Sequence, residues 1–407
     1  MVVFRALYQR IFYFYPSVFM SDLKKVLFLP GWYPNKSDNA VGSFIMNHAE
    51  AVSAELKVDV LHVCGDEDSK KIYNFEKSSV NGIDTYVLYY RKSKSKHVFA
   101  QFLKGILYFV GQFYAYHKYR QLNSRPTFFH VHVLTRAAIL PYTLKFFGSN
   151  ISYFITEHWS RYLPQDNSYQ GFFRKLITTS VVKKSSGITA VSENLKFHMN
   201  RHGLAHRNFK VISNVTRDLF FENMEGQGQL VNHFVHVSNF AANCKNVKGI
   251  LQSFKLLRDE GYLFSLTMVG DGDDFELAKA SAYGLENVDF TGFLYNNDVV
   301  SEMRKATALI LFSNYENQPV VITESLSLGV PVVATAVGGI PEMIDESNGI
   351  LVQPNDVDAL SKAIKQIIIG EKKFDRNKIK EEAARKFKSE VVAQQLIAFY
   401  RDGGVDI

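Results

Sequence analysis

The chain has 407 residues, too many for one ordinary core and about right for two α/β domains. Hydrophobic residues make up 46% and charged residues 21%, a globular balance that excludes a disordered chain or a multi-span membrane protein. Charge is unevenly placed: residues 1–215 hold 28 Lys and Arg against 13 Asp and Glu, and the remainder 19 against 27.

A basic first half that is also rich in Phe and Tyr suggests an anionic partner for that half. An anionic membrane surface, a phosphorylated lipid and nucleic acid all fit. With no zinc-ligand spacing and no nucleic-acid motif, the membrane reading leads and no nucleic acid is expected. Cys64 and Cys244 are alone and far apart, which suits a reducing cytosol rather than a disulfide framework. The expected location is cytoplasmic, peripheral on the inner face of the membrane.

At the N-terminus, residues 1–20 form an extension or an interfacial segment. The apolar run from Arg5 to Met20 is short, contains Pro16 and lacks a small-residue cleavage site, so it reads as neither a signal peptide nor a spanning helix. Translation could start at Met1 or Met20. A buried parallel strand is expected at Lys25 to Pro30, then a loop through Gly42, an amphipathic helix from Ser43 and a strand at Val58 to Cys64. Further strands fall at Thr85 to Tyr90, Phe128 to His132, Ile151 to Thr156 and Gly187 to Val191. Between the first and second of these lies a helix-length aromatic stretch, residues 97–120, preceded by the basic run Arg91 to Lys96. It reads either as an interfacial helix against anionic lipid or as a helix buried on the first sheet.

A second α/β series follows Asn214, with strands at His233 to Val237, Ser265 to Val269, Val288 to Thr291, Ala308 to Phe312 and Val330 to Ala334. A helix is expected at Val320 to Leu328, with Pro319 near its first turn and Gly329 as its stop. From Asp375 to Tyr400 runs one long helical pattern with no strand after it. The expected boundaries are 21–215 for an acceptor-side Rossmann-like domain, 216–385 for a nucleotide-sugar-binding one, and 386–407 for a crossover helix.

The segment SNYENQPVVITE, Ser313 to Glu324, places Glu316 and Glu324 around a helix start just after a buried strand, where carboxylates face a ligand crevice. With SLSLGVPVVATAVGGIPEMI and NGILVQPNDVDAL behind it, the segment resembles glycosyltransferase family 4. That retaining family has the GT-B fold: two Rossmann-like domains facing across a cleft, with a C-terminal helix packing across the junction. The resemblance implies a donor that is a nucleoside-diphosphate sugar, no metal and no other cofactor. It gives Glu324 the donor ribose hydroxyls, and gives Glu316 and the backbone of Asn317, Gln318, Pro319 and Val320 the transferred sugar.

By the same resemblance, Lys245 grips the donor diphosphate, while Asn239 stands where the family has an Arg, and Asn317 and Gln318 replace a common Gly-Phe pair. Phe293 and Leu294, in GFL, match the turn that meets the nucleotide base. Gly42 matches the glycine near the diphosphate and His158, in ITEHWS, the histidine near the sugar; His130 and His132 read as core. Ser192 and Asn214 match interdomain landmarks, and GDGDD, Gly270 to Asp274, reads as a turn rather than a metal site. His158, Lys245 and Glu316 are therefore the expected catalytic set. The implied activity is sugar transfer to a lipid-linked or glycan acceptor in cell-surface polysaccharide or lipopolysaccharide synthesis. A GT-B epimerase or phosphorylase, or a silent nucleotide- or membrane-binding partner, are the alternatives.

Overall fold

A computed structural model of the protein describes residues 24–95, 97–166, 168–222 and 229–407. The N-terminal segment and Lys96 lie outside them. The first sheet has eight strands in the order β3-β4-β2-β1-β5-β6-β7-β8. These are β1 (Lys25–Pro30), β2 (Lys57–Asp66), β3 (Tyr73–Val80), β4 (Ile83–Arg91), β5 (Phe128–His132), β6 (Ser152–Glu157), β7 (Gly187–Ala190) and β8 (Phe209–Val211). All pairs are parallel except β3 with β4. Strands such as β1 and β5 are buried on both faces, which is why β1 reads as an apolar run after Lys25 and why the His130 and His132 of β5 are themselves buried.

The second sheet orders its six strands β11-β10-β9-β12-β13-β14, all parallel. They are β9 (His233–Val237), β10 (Ser265–Val269), β11 (Val288–Gly292), β12 (Ala308–Leu311), β13 (Val332–Thr335) and β14 (Gly349–Val352). The strand order reverses direction beside β1 and β5 in one sheet, and beside β9 and β12 in the other. Loops leaving those strands diverge, and crevices open there at the carboxyl ends.

Helix α1 (Ser43–Ser53) packs on the first sheet, and α2 (Val98–Leu122) divides its surface. Tyr108, Gly111, Ala115, Tyr116 and Tyr119 of α2 are buried against the sheet, while Val98, Phe99 and Phe102 stand exposed. The burial of its later turns agrees with the reading of a helix packed on the first sheet, while its first turns leave apolar side chains exposed. Among the described residues no helix is long and apolar enough to cross a membrane.

The single helix expected from Asp375 to Tyr400 is two: α13 (Arg376–Phe387) and α14 (Ser389–Asp402), numbered after the ten helices between α2 and α13. Lys388 is extended, its φ −61° and ψ 147° lying outside the helical region, and the chain turns there. Thereafter α14 joins the first domain. Its Tyr400 hydroxyl bonds His130 Nδ1 at 2.7 Å, and the Cβ that Gly187 lacks would lie 2.6 Å from the Phe399 ring.

Candidate functional site

Lys245 ends α7 (Ala242–Lys245) in the connection after β9, and Glu316 lies in the loop after β12, so both flank the reversal in the second sheet. Their side chains meet 71 residues apart in sequence: Lys245 Nζ donates to Glu316 Oε1 at 2.5 Å. Ser313 Oγ donates to the same oxygen at 2.9 Å. Both charged side chains are largely buried, so their attraction is weakly screened. Burial pulls the Lys245 ammonium down, but the Glu316 carboxylate outweighs it and the pKa ends above its usual value. Burial, followed by that carboxylate, pushes the neighbouring Cys244 thiol up to about 11. Lys245 is therefore a fixed cation at the crevice floor.

Asn317 and Gln318 turn away from this pair toward the first domain. The Ser192 hydroxyl donates to Asn317 Oδ1 at 2.8 Å, and Asn317 Nδ2 donates to the His158 carbonyl at 2.9 Å. Gln318 Oε1 accepts from Asn214 N at 2.6 Å, and its Nε2 donates to Ser213 Oγ at 3.1 Å. The Gln318 carbonyl accepts from Asn214 Nδ2 at 3.2 Å. The side chains that replace Gly-Phe are thus engaged in holding the two domains together.

The double glycine of GGIPE, Gly338 and Gly339, has a role that sequence reasoning missed. A Cβ on Gly338, at φ +55°, would lie 1.8 Å from the Glu316 carbonyl, and one on Gly339 would lie 2.4 Å from that of Asn317. Only glycines let this turn close on the Glu316–Asn317 backbone. Glu342 then reaches across to α6 (Glu193–Arg201). Its carboxylate accepts from Glu193 N and Asn194 N, both at 2.7 Å, where a helix start favours an anion.

Glu324 lies in α11 (Val320–Ser327), after Pro319, and is half-buried. Burial raises its carboxyl to about 7, opposed by the nearby Arg217 guanidinium. Asn239 and Phe293 are exposed on this side, the Phe293 ring 4.7 Å from that of Tyr295, and Leu294 is partly buried. In GDGDD, a Cβ on Gly270 or Gly272 would strike the carbonyl of Ser238 or Asn239, so the turn packs against the loop after β9. Among the described residues no group of His, Cys, Asp and Glu is placed to hold a metal.

On the first domain, Gly42 begins α1 in the left-handed region at φ 69°. A Cβ there would lie 2.5 Å from the Trp32 backbone, so packing of the loop after β1 is itself sufficient reason for glycine. His158 is buried and its ring is already engaged: Nε2 lies 3.1 Å from His132 Nδ1, and Nδ1 lies 3.1 Å from Asn214 Oδ1. Its pKa is well below the ordinary value because burial disfavours the imidazolium, and His48 adds repulsion. His130 and His132 are wholly buried, as expected from their strand. Glu157, which sequence reasoning passed over, fastens this edge. Its carboxylate accepts from the main-chain N–H of His158 and Trp159 at 2.8 Å and of Leu134 at 3.1 Å.

Residues 226–386 match the family described as glycosyl transferases group 1. The chain is 27% identical to N-acetyl-alpha-D-glucosaminyl L-malate synthase of Bacillus anthracis over 67% of this chain and 74% of that protein. It is 31% identical to lipopolysaccharide 1,6-galactosyltransferase of Escherichia coli K12, over 47% of this chain and about half of that protein's length (54%). Among solved structures, Anabaena HepE in complex with UDP-glucose superposes with a TM-score of 0.67 at 15% identity, covering 93% of this chain and 99% of that one. The likeness in structure is one of fold, and the fold is GT-B.

Proposed function

Taking the chain as a GT-B glycosyltransferase whose second domain is of the group 1 kind, we propose that it is a retaining enzyme of family 4. The donor is a nucleoside-diphosphate sugar, with UDP the first base to test because HepE is held with UDP-glucose. The acceptor is a glycan of cell-surface polysaccharide or lipopolysaccharide assembly, the class named for the Escherichia coli relative.

The observation that carries this reading is the Lys245–Glu316 pair on the crevice floor. When the sugar–phosphate bond breaks, negative charge gathers on the departing diphosphate, and a preorganised buried cation stabilises it without reorganising solvent. Glu316 holds that cation in place and offers its carboxylate to sugar hydroxyls, while Glu324 accepts from the ribose. Nothing in this scheme needs an enzyme nucleophile: the acceptor attacks on the face the diphosphate leaves, and a diphosphate oxygen takes its proton.

The same reading places the enzyme on an anionic membrane surface. Val98, Phe99 and Phe102 of α2 are 82%, 69% and 65% exposed, and Phe172 and Phe173 on α5 (Phe172–Lys184) are each 76% exposed. Lys92 and Lys94 lie before α2. Apolar faces with basic flanks suit a lipid boundary.

Calorimetric titration of UDP, GDP and ADP tests the donor site. One nucleotide should bind the full chain and lose affinity in Lys245→Ala and Glu324→Ala; equal binding by both variants would overturn the site. Binding to anionic vesicles tests the membrane face, and Phe99→Ser with Phe102→Ser should abolish it.

A further inference from the structure

A second crevice opens where the first sheet reverses, beyond the ends of β1, β2, β5 and β6, with a volume of about 680 Å³. Five cationic side chains line it, namely Lys92, Lys104, Arg136, Arg161 and Arg174, against one carboxylate, Asp38. Asp38 is occupied locally, Oδ1 accepting from Ala40 N at 2.8 Å and Val41 N at 3.0 Å. Lys92 pairs with Glu67 at 2.6 Å. Among the described residues no carboxylate comes within ion-pair distance of Lys104, Arg136 or Arg174.

These cations come from separate elements: Lys104 from α2, Arg136 from α3 (Leu134–Ala137), Arg161 from the short turn after β6, and Arg174 from α5. Arg161 is buried and stacked on Trp159, its guanidinium carbon 3.5 Å from the ring centre. Burial, and then the charges of Lys92 and Arg136, depress the Lys104 ammonium. Like charges converging on one cavity repel unless an anion completes the set. The wall is also strained at Val133, a β-branched residue held at φ 69°.

We propose that this cavity seats an acceptor bearing a phosphate or diphosphate ester, bound between Lys104, Arg136, Arg161 and Arg174. Three of these are guanidinium groups, which meet phosphate oxygens with paired N–H donors. Trp32 and Trp159, with ring centres 4.8 Å apart, wall the cavity beside His158, whose carbonyl is bonded to the donor domain. A sugar attached to the ester would reach past these rings toward Glu316. This rests on the transferase reading above and specifies its acceptor. The ester belongs either to a water-soluble glycosyl phosphate or to a lipid-linked diphosphate lying along the apolar faces of α2 and α5.

The two tryptophans of the chain are Trp32 and Trp159, and both line this cavity, so their fluorescence reports it. Inorganic pyrophosphate titrated into the full chain should change the emission saturably. The midpoint should be unchanged in Lys245→Ala and at least about tenfold higher in Lys104→Gln/Arg136→Gln, which replaces one partly buried and one exposed side chain. No saturable change, or the same midpoint in the double variant, would overturn the proposal. Sedimentation with phosphatidylcholine vesicles, plain or doped with an isoprenoid diphosphate, separates the sources. Stronger retention on doped vesicles, lost in the double variant, assigns the lipid-linked ester; saturable pyrophosphate binding with no effect of doping assigns the soluble one. Calorimetry with UDP on the double variant keeps the two readings apart, since intact UDP binding without a pyrophosphate response rejects the acceptor site and leaves the donor site standing.

Discussion

Asn317 in the second domain donates its side-chain N–H to the carbonyl of His158 in the first, at 2.9 Å, across 159 residues of sequence. The bond joins the loop that carries Glu316 to the loop that carries His158, so this amide, beside the bonds of Gln318 and Glu342, sets the two halves of the site against each other. Ser192 completes it, capping α6 through Leu195 N while donating to Asn317 Oδ1.

Replacing Asn317 by Ala should therefore loosen the junction more than either domain. The loss is about 1–3 kcal/mol, because the Ser192 hydroxyl and the His158 carbonyl lose buried partners. Small-angle scattering should show a larger radius of gyration for the variant, and KM for the donor should rise more than kcat falls. An unchanged radius would mean that the other interdomain bonds suffice.

Lys245→Ala leaves Glu316 without its cation in a largely buried place, and on the proposed reaction removes the charge that stabilises the departing diphosphate. Turnover should fall by about 100-fold or more. Stability should fall by about 3 kcal/mol at most, because both side chains retain some exposure. Glu316→Gln should be milder in unfolding, since the amide oxygen can still accept from Ser313, yet comparably impaired in turnover. Denaturant melts beside initial rates separate the two effects.

Glu324 and His48 give opposite pH slopes. Burial raises Glu324 to about 7, so between the usual carboxylate range and pH 7 the folded chain holds a proton the unfolded chain has lost, and its contribution to stability falls as pH rises through that window. His48 is depressed by burial to about 4, so its contribution falls as pH drops from about 6.5 toward 4. Nucleotide binding should strengthen as pH rises through 7, since the ionised carboxylate is the better acceptor for ribose hydroxyls. Glu324→Gln should flatten that binding profile, and His48→Leu should reduce the acid loss of melting temperature.

Gly338→Ala places a methyl carbon where the Glu316 carbonyl lies and forces a residue with a side chain into positive φ. The Glu316 loop must shift. Donor binding should be lost in a chain that still unfolds cooperatively, read by calorimetry and by thermal melting of the same sample.

The strands buried on both faces, β1, β5, β9 and β12, could be placed from sequence because a short apolar run, interrupted only by histidines in β5 and β9, is a local property. So could the pairing of Glu316 and Glu324 about a helix start. By contrast β3, whose residues YNFEKSSV are half polar, and β8, with three residues, exist through hydrogen bonds to a neighbouring strand, which no local pattern encodes, while β14, GILV at the far edge, is a short apolar run that sequence reasoning passed over. The same holds for the break at Lys388, where helical residues continue on both sides and only the packing of α14 on the first domain redirects the chain.

The site divides along the same line. Sequence alone, through its resemblance to family 4, singled out Lys245, Glu316 and Glu324 as the residues of the proposed donor site, because they sit in short segments whose order and spacing are legible. Tertiary structure alone decided that Asn317 and Gln318 bind the opposite domain, that the His158 ring is already engaged, and that Lys104, Arg136, Arg161 and Arg174 surround one cavity. Each of those relationships joins segments far apart along the chain, and a contact of that kind exists only once both sheets have folded and brought their carboxyl ends together.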